Sequence, residues 1–167
     1  MVESILDGKK ILAVDDEPDV LEILEEEILC SCTSCHLDKA TSYETAVNML
    51  RSQEYDMVIL DIMGVRGFDL LDMAVKRNFK VVMLTAHALI PEALKQCFER
   101  KARGYLPKEK LGEIVPFLED IFRYEYRPGW KHLLEKLKDF FDAKFTPEWE
   151  AKIGLNWREW EHGEDNP

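Results

Sequence analysis

The sequence predicts a doubly wound α/β fold, a five-stranded parallel sheet with helices on both faces, followed by a C-terminal helical extension. Three observations carry that prediction. Between about residues 9 and 124, short apolar runs alternate with longer amphipathic stretches, five of each. The runs are continuously apolar instead of alternating in polarity, as strands buried on both faces require. Right-handed crossovers then leave only a few ways to order the strands.

Lys10-Ile11-Leu12-Ala13-Val14 reads as the first strand. Asp19 to Leu29 follows as a helix, its apolar residues Val20, Ile23, Leu24 and Ile28 at helical spacing. Asp16-Glu17-Pro18 supplies the helix start, with proline where a missing donor costs least. Cys35 to Ala40 is the second strand and Ser42 to Gln53 the second helix. Met57 to Leu60 and Phe68 to Arg77 form the third pair, Lys80 to Leu84 and Pro91 to Lys101 the fourth. Gly104 to Leu106 is a short fifth strand, and a fifth helix runs from about Gly112 to Tyr124. Pro116 falls near the start of that helix.

Arg127-Pro128-Gly129 breaks the pattern, so the domain is drawn as residues 9–124 and the extension as 125–167. In the extension, Trp130, Leu133, Leu134, Leu137, Phe140, Phe141 and Phe145 make one apolar helical stripe. Thr146-Pro147 caps a further short helix. A bare amphipathic helix needs a partner surface. Three remain open: the preceding domain itself, a second copy in a homodimer through the C-terminal helices, or an effector protein.

The formal charge of −11 argues against a broad nucleic-acid surface and against adsorption to an anionic membrane. No apolar run is long enough to cross a bilayer, and Met1 to Asp7 lacks a signal peptide's basic start. The expectation is a cytoplasmic protein with reduced thiols. Cys32-Thr33-Ser34-Cys35-His36 has the spacing of a haem-attachment motif, and Cys30 adds a thiol. Buried or edge thiols are the preferred reading, with a Cys30, Cys32, Cys35 and His36 metal or redox site as the alternative.

The chemistry is concentrated at strand ends. Asp15 and Asp16 follow the first strand, Asp61 the third, Thr85 the fourth, and Lys108 closely follows the fifth. In open α/β sheets the carboxyl edge holds the functional crevice. Carboxylates gathered there repel one another unless a cation joins them, and oxygen-only ligands suit Mg²⁺. Such an ion would neutralise an incoming phosphoryl group in line with an Asp61 oxygen, assisted by Lys108 and the Thr85 hydroxyl. The residues therefore point to phosphoryl transfer to a carboxylate.

Ile11-Leu12-Ala13-Val14-Asp15-Asp16-Glu17, Val58-Ile59-Leu60-Asp61-Ile62-Met63, Leu84-Thr85-Ala86 and Gly104-Tyr105-Leu106-Pro107-Lys108 together resemble the receiver domain of two-component response regulators. The resemblance implies the flavodoxin-like strand order 2-1-3-4-5, the order given for this fold family. It implies Asp61 as phosphoacceptor, and Asp15, Asp16, Asp61 and the Met63 carbonyl as Mg²⁺ ligands. Thr85 and Lys108 would sense the phosphoryl group, Tyr105 would be the switch aromatic, and Met63 and His87 would tune phosphoryl lifetime. The implied donor is a histidine kinase or phosphotransfer protein. Output would pass by protein contact through the fourth helix, fifth strand and fifth helix, and the domain would be a signalling module and not an enzyme. Two departures stand out: the loop from Asp61 to Asp69 is short and lacks the usual proline, and Glu109 follows Lys108 where proline is common. They support an alternative, a scaffold that no longer uses phosphorylation.

Overall fold

A computed structural model describes residues 4–86, 90–145, 147–155 and 157–159. Five parallel strands run in the order β2-β1-β3-β4-β5: β1 Lys10–Val14, β2 His36–Ala40, β3 Met57–Asp61, β4 Lys80–Thr85 and β5 Gly104–Pro107. The helices between them are α1 Pro18–Ser31, α2 Tyr43–Ser52, α3 Gly67–Lys76 and α4 Pro91–Glu99, with α5 Ile114–Arg123 after β5. Helix α1 packs on α5, and α2 packs on α3. Strand β3 and the last residues of β1 and β4 are wholly buried, which is why their sequences are unbroken apolar runs. Edge strand β2 is only partly buried and carries Lys39 and Asp38, charges that blunt edge-to-edge pairing.

The local signals act as the sequence suggests. Pro18 opens α1 at its first turn, and the Ser42 hydroxyl accepts from the Thr45 N–H to cap α2. Pro116 lies within the first turn of α5. Before α5, Lys108–Glu113 forms a 3₁₀ segment, so the helix expected from about Gly112 becomes α-helical only at Ile114. The second strand starts at His36 instead of Cys35, a one-residue fraying of its boundary.

The extension differs from expectation at its start. Arg127-Pro128-Gly129 does not break the chain: it lies inside α6, Tyr126–Lys144. Pro128 is the third helical residue, where its absent N–H has no intrahelical acceptor to lose. The break falls at Tyr124 and Glu125, both in extended conformation. A short α7, Trp149–Ile153, follows; Thr146, assigned as its cap, lies outside the described residues.

Of the three surfaces open to the apolar stripe, the chain uses its own domain. Helix α6 packs against α5 and β5, and α7 against α4. Trp130, Leu133, Leu134, Leu137, Phe141 and Trp149 are buried. Each contributes roughly 1.5–3 kcal/mol when removed from water, so an undocked stripe would be costly. Polar contacts fix the register. The Trp130 indole N–H donates to the Ala102 carbonyl at 2.9 Å, and the Tyr126 hydroxyl donates to the Phe98 carbonyl. The Phe141 ring stands 6.0 Å from that of Tyr105 in β5. Most of the stripe is thereby buried within the chain itself, with Phe140 partly exposed. No helix is long and apolar enough to cross a membrane among the described residues.

Candidate functional site

The sheet brings the strand-end residues together. Strand order reverses between β1 and β3, and Asp15 follows β1 directly while Asp61 closes β3. Thr85 closes β4, and Lys108 is the first residue past β5. Asp15, Asp61 and Thr85 are the three buried polar or charged residues among those described. Asp16 is exposed at the rim.

One ammonium serves three carboxylates. Lys108 Nζ lies 2.8 Å from Asp15 Oδ2, 3.3 Å from Asp61 Oδ1 and 3.3 Å from Glu17 Oε1. The Glu17 N–H donates to Asp15 Oδ1 at 2.9 Å and fixes that carboxylate at the start of α1. Glu17 was not among the residues singled out from sequence. A charged residue one position before a helix gives no sign that a lysine 91 residues away will reach it.

The electrostatics are those of a crowded anionic site. Burial foremost, then the neighbouring Asp15 charge, pushes the Asp61 carboxyl up from 3.8 to about 6, against the pull of Lys108. Burial likewise raises Asp15, opposed by Lys108 and the Glu17 N–H. Burial draws Lys108 down, but its hydrogen bonds and ion pairs with Asp15 and Asp61 outweigh it and leave the ammonium held above its ordinary value. Asp15 Oδ2 is buried, and the Lys108 ammonium meets it as a close ion pair at 2.8 Å.

The grouped carboxylates suit a divalent cation. Asp15, Asp16 and Asp61 each offer an oxygen, all within 4.8 Å of one another, and they form the one such cluster of three found among the described residues. Three carboxylates around one lysine leave excess negative charge, and a hard cation with oxygen ligands would offset it. The Met63 carbonyl already accepts from the Val65 N–H at 2.9 Å, which leaves it one further lone pair.

The short loop is built by glycines that sequence reading passed over. A Cβ on Gly67 would sit 2.1 Å from the Asp61 carbonyl oxygen, so only glycine lets α3 begin against the end of β3. Gly64 has φ +79°, and a Cβ there would meet the Asp16 carboxylate at 2.7 Å. A glycine-bearing loop next to an acidic strand end was the available signal.

Tyr105 is fully buried, and its hydroxyl shares a hydrogen bond with the Thr85 side chain. His87 lies outside the described residues. Met63 is half exposed at the rim. The cysteines do not gather ligands: Cys30 and His36 are exposed, and His36 pairs with Asp38 at 3.0 Å on the outer side of β2. Cys32 and Cys35 are buried together.

An unfolding prediction follows from the Asp61 shift. With no metal bound, the folded state holds the Asp61 proton more tightly than the unfolded chain does. Between pH 3.8 and about 6 it therefore binds more protons, and its contribution to stability falls as pH rises through that window. Asp61→Asn cannot ionise, so in chelator it should be more stable than wild type at neutral pH by about 1–3 kcal/mol. The gain should vanish below the window. Urea unfolding at several pH values measures it, and an unchanged or lowered stability at neutral pH would contradict the assigned burial cost.

A sheet of order 2-1-3-4-5 with an acidic, lysine-bearing crevice at its carboxyl edge defines a receiver-type signalling domain. The chain belongs to the response regulator receiver domain family, whose model matches residues 11–118. It is 39% identical over 85 residues to the two-component response regulator ARR18 of Arabidopsis thaliana, and 35% identical over 85 residues to ORR24 of Oryza sativa subsp. indica. Each match covers 48% of this chain but 13% of the relative, so the likeness concerns a small part of those proteins. Among solved structures, response regulator protein TrrA of Thermotoga maritima, in complex with Mg²⁺-BeF, is 30% identical with a TM-score of 0.58; the match covers 68% of this chain and 98% of that one. A CheY-like receiver domain protein from Methanospirillum hungatei covers 86% of this chain and 98% of its own, with a TM-score of 0.53; at 20% identity it speaks for the fold alone.

Proposed function

We propose that this chain receives a phosphoryl group on Asp61 from the phosphohistidine of a histidine kinase or phosphotransfer protein, and passes the signal on by protein contact. The observation that carries this is the buried Asp61 carboxylate, 3.3 Å from the Lys108 ammonium and clustered with Asp15 and Asp16. TrrA, a relative of the same fold, was solved with Mg²⁺ and a beryllofluoride group. Asp15, Asp16, Asp61 and the Met63 carbonyl would hold Mg²⁺, which when bound supplies positive charge against the phosphoryl oxygens. One Asp61 oxygen attacks phosphorus in line as the bond to histidine nitrogen breaks. Lys108 keeps its hold on Asp15 and turns toward the phosphoryl oxygens. The Thr85 hydroxyl donates to another of them.

Thr85 is joined to Tyr105, and Tyr105 meets Phe141 of α6. The extension therefore lies where a change at Thr85 would first be felt, and α6 with α7 is the reader we assign to the signal. An effector protein would bind the extension, or the α4, β5 and α5 surface next to it.

Beryllofluoride with Mg²⁺ should mimic the phosphoryl group. Amide resonances of Thr85 and Tyr105 should move on its addition, and those of Phe141 with them. Asp61→Asn should show none of these shifts. A full set of unmoved resonances in wild type would favour the scaffold that no longer uses phosphorylation.

A further inference from the structure

The Cys32-Thr33-Ser34-Cys35 stretch joins α1 to β2, and its buried thiols take no part in the acidic site. Cys32 ends α1, and the Cys35 N–H reaches back to the Cys32 carbonyl at 3.4 Å, closing a tight turn. In such a turn the first and last Cα atoms lie within about 7 Å, the range that a disulfide spans. The side chains converge as well: Cys35 Sγ lies 2.8 Å from Cys32 Sγ. Neither thiol faces the sheet core alone, because both hold the turn that precedes β1. Cys35 donates to the Leu6 carbonyl at 2.9 Å, and Cys32 to Asp7 Oδ1 at 3.1 Å. Ser34 Oγ also donates to Asp7 Oδ1, at 3.1 Å, and accepts from the Gly8 N–H. Leu6 is fully buried, and the Ser4 hydroxyl reaches Glu119 of α5 at 3.4 Å.

We propose that Cys32 and Cys35 form a reversible dithiol–disulfide site, oxidised by a small-molecule disulfide such as glutathione disulfide, that controls how firmly the domain holds its N-terminal turn. When the turn opens locally, the Cys32 sulfur loses its proton to solvent and attacks the external disulfide, so that one external thiolate leaves. The Cys35 sulfur then attacks Cys32 Sγ, its proton passing to solvent, and the second external thiolate leaves. Two S–H bonds and one external S–S bond are exchanged for one internal S–S bond and two external thiols. Two electrons pass to the external disulfide. Burial pushes the Cys35 thiol up to about 12, which fits its role as the second and not the first attacker. Oxidation removes both thiol donors. Leu6 keeps its bond from the Lys9 N–H, and Asp7 keeps that from Ser34, so the turn is loosened without being cut free.

The test uses the full chain carrying Cys30→Ser, which removes the exposed thiol. It is equilibrated with glutathione buffers of rising oxidation, quenched in acid, alkylated and peptide-mapped. The expected product is a loss of two hydrogens confined to the peptide bearing Cys32 and Cys35, restored by reduced glutathione. Either Cys32→Ala or Cys35→Ala should abolish it. Amide exchange at Lys9 should be several-fold faster in the oxidised form, with β3 unchanged. Two alkylated thiols after oxidation, a persistent glutathione adduct, or a bond to Cys97 would overturn the proposal. Unchanged exchange at Lys9 would overturn its control of the turn.

Discussion

Lys108→Ala should lower the stability of the metal-free protein by about 3–5 kcal/mol at neutral pH, the range for removing one partner of a buried ion pair. Lys108 is the shared cation of Asp15, Glu17 and Asp61, and the Asp15 side chain is fully buried. Without the ammonium, two buried carboxylates face each other and the rim carboxylate of Asp16 with no positive charge in ion-pair reach among the contacts described. The cost should shrink as pH falls, because Asp15 and Asp61 are already held above their ordinary range and protonate readily. Added Mg²⁺ should recover part of the loss. Thermal or urea unfolding with and without chelator checks both effects. A loss near zero that is insensitive to pH and metal would mean the carboxylates do not depend on Lys108.

Trp130→Ala should cost a similar amount, about 3–5 kcal/mol, for a different reason. The indole is buried against Phe98, ring centroids 5.7 Å apart, and its N–H satisfies the Ala102 carbonyl just before β5. Truncation leaves a cavity and an unpaired carbonyl together. The loss should fall on the docking of α6 and α7. Amide exchange from Leu133 to Phe141 should rise, and Trp149 and Trp157, both buried, should shift to longer emission wavelength. Phosphoryl acceptance should survive, because no described contact links Trp130 to the acidic crevice. A stability change under about 1 kcal/mol would show that the extension is not held by this anchor.

The sheet and its carboxyl-edge residues were legible because they depend on patterns that a single chain displays. Continuous apolar runs at Met57–Leu60 and Val81–Leu84 locate central strands, and topology then gathers their ends whatever the intervening residues are. Asp15, Asp16, Asp61, Thr85 and Lys108 converge on that account. What escaped depends on tertiary neighbours. Pro128 looks like a breaker until its place in the first turn of α6 is known. Gly67 is required by the Asp61 carbonyl, and Gly64 by a carboxylate that reaches it from another strand end. The stripe from Trp130 to Phe145 declares that it needs a partner, but not that β5, α5 and the Tyr105 ring supply it. Leu6 and Asp7, set outside the domain at residue 9, are tied back to it by two thiols whose partners sequence spacing does not disclose.

The central claim is that Asp61 takes the phosphoryl group. Intact-mass analysis after incubation with acetyl phosphate tests it most directly, with wild type and Asp61→Asn compared in Mg²⁺ and in chelator. The account predicts a single phosphoryl adduct on wild type in Mg²⁺, and none on the variant or after chelation. An adduct that persists in Asp61→Asn would contradict it.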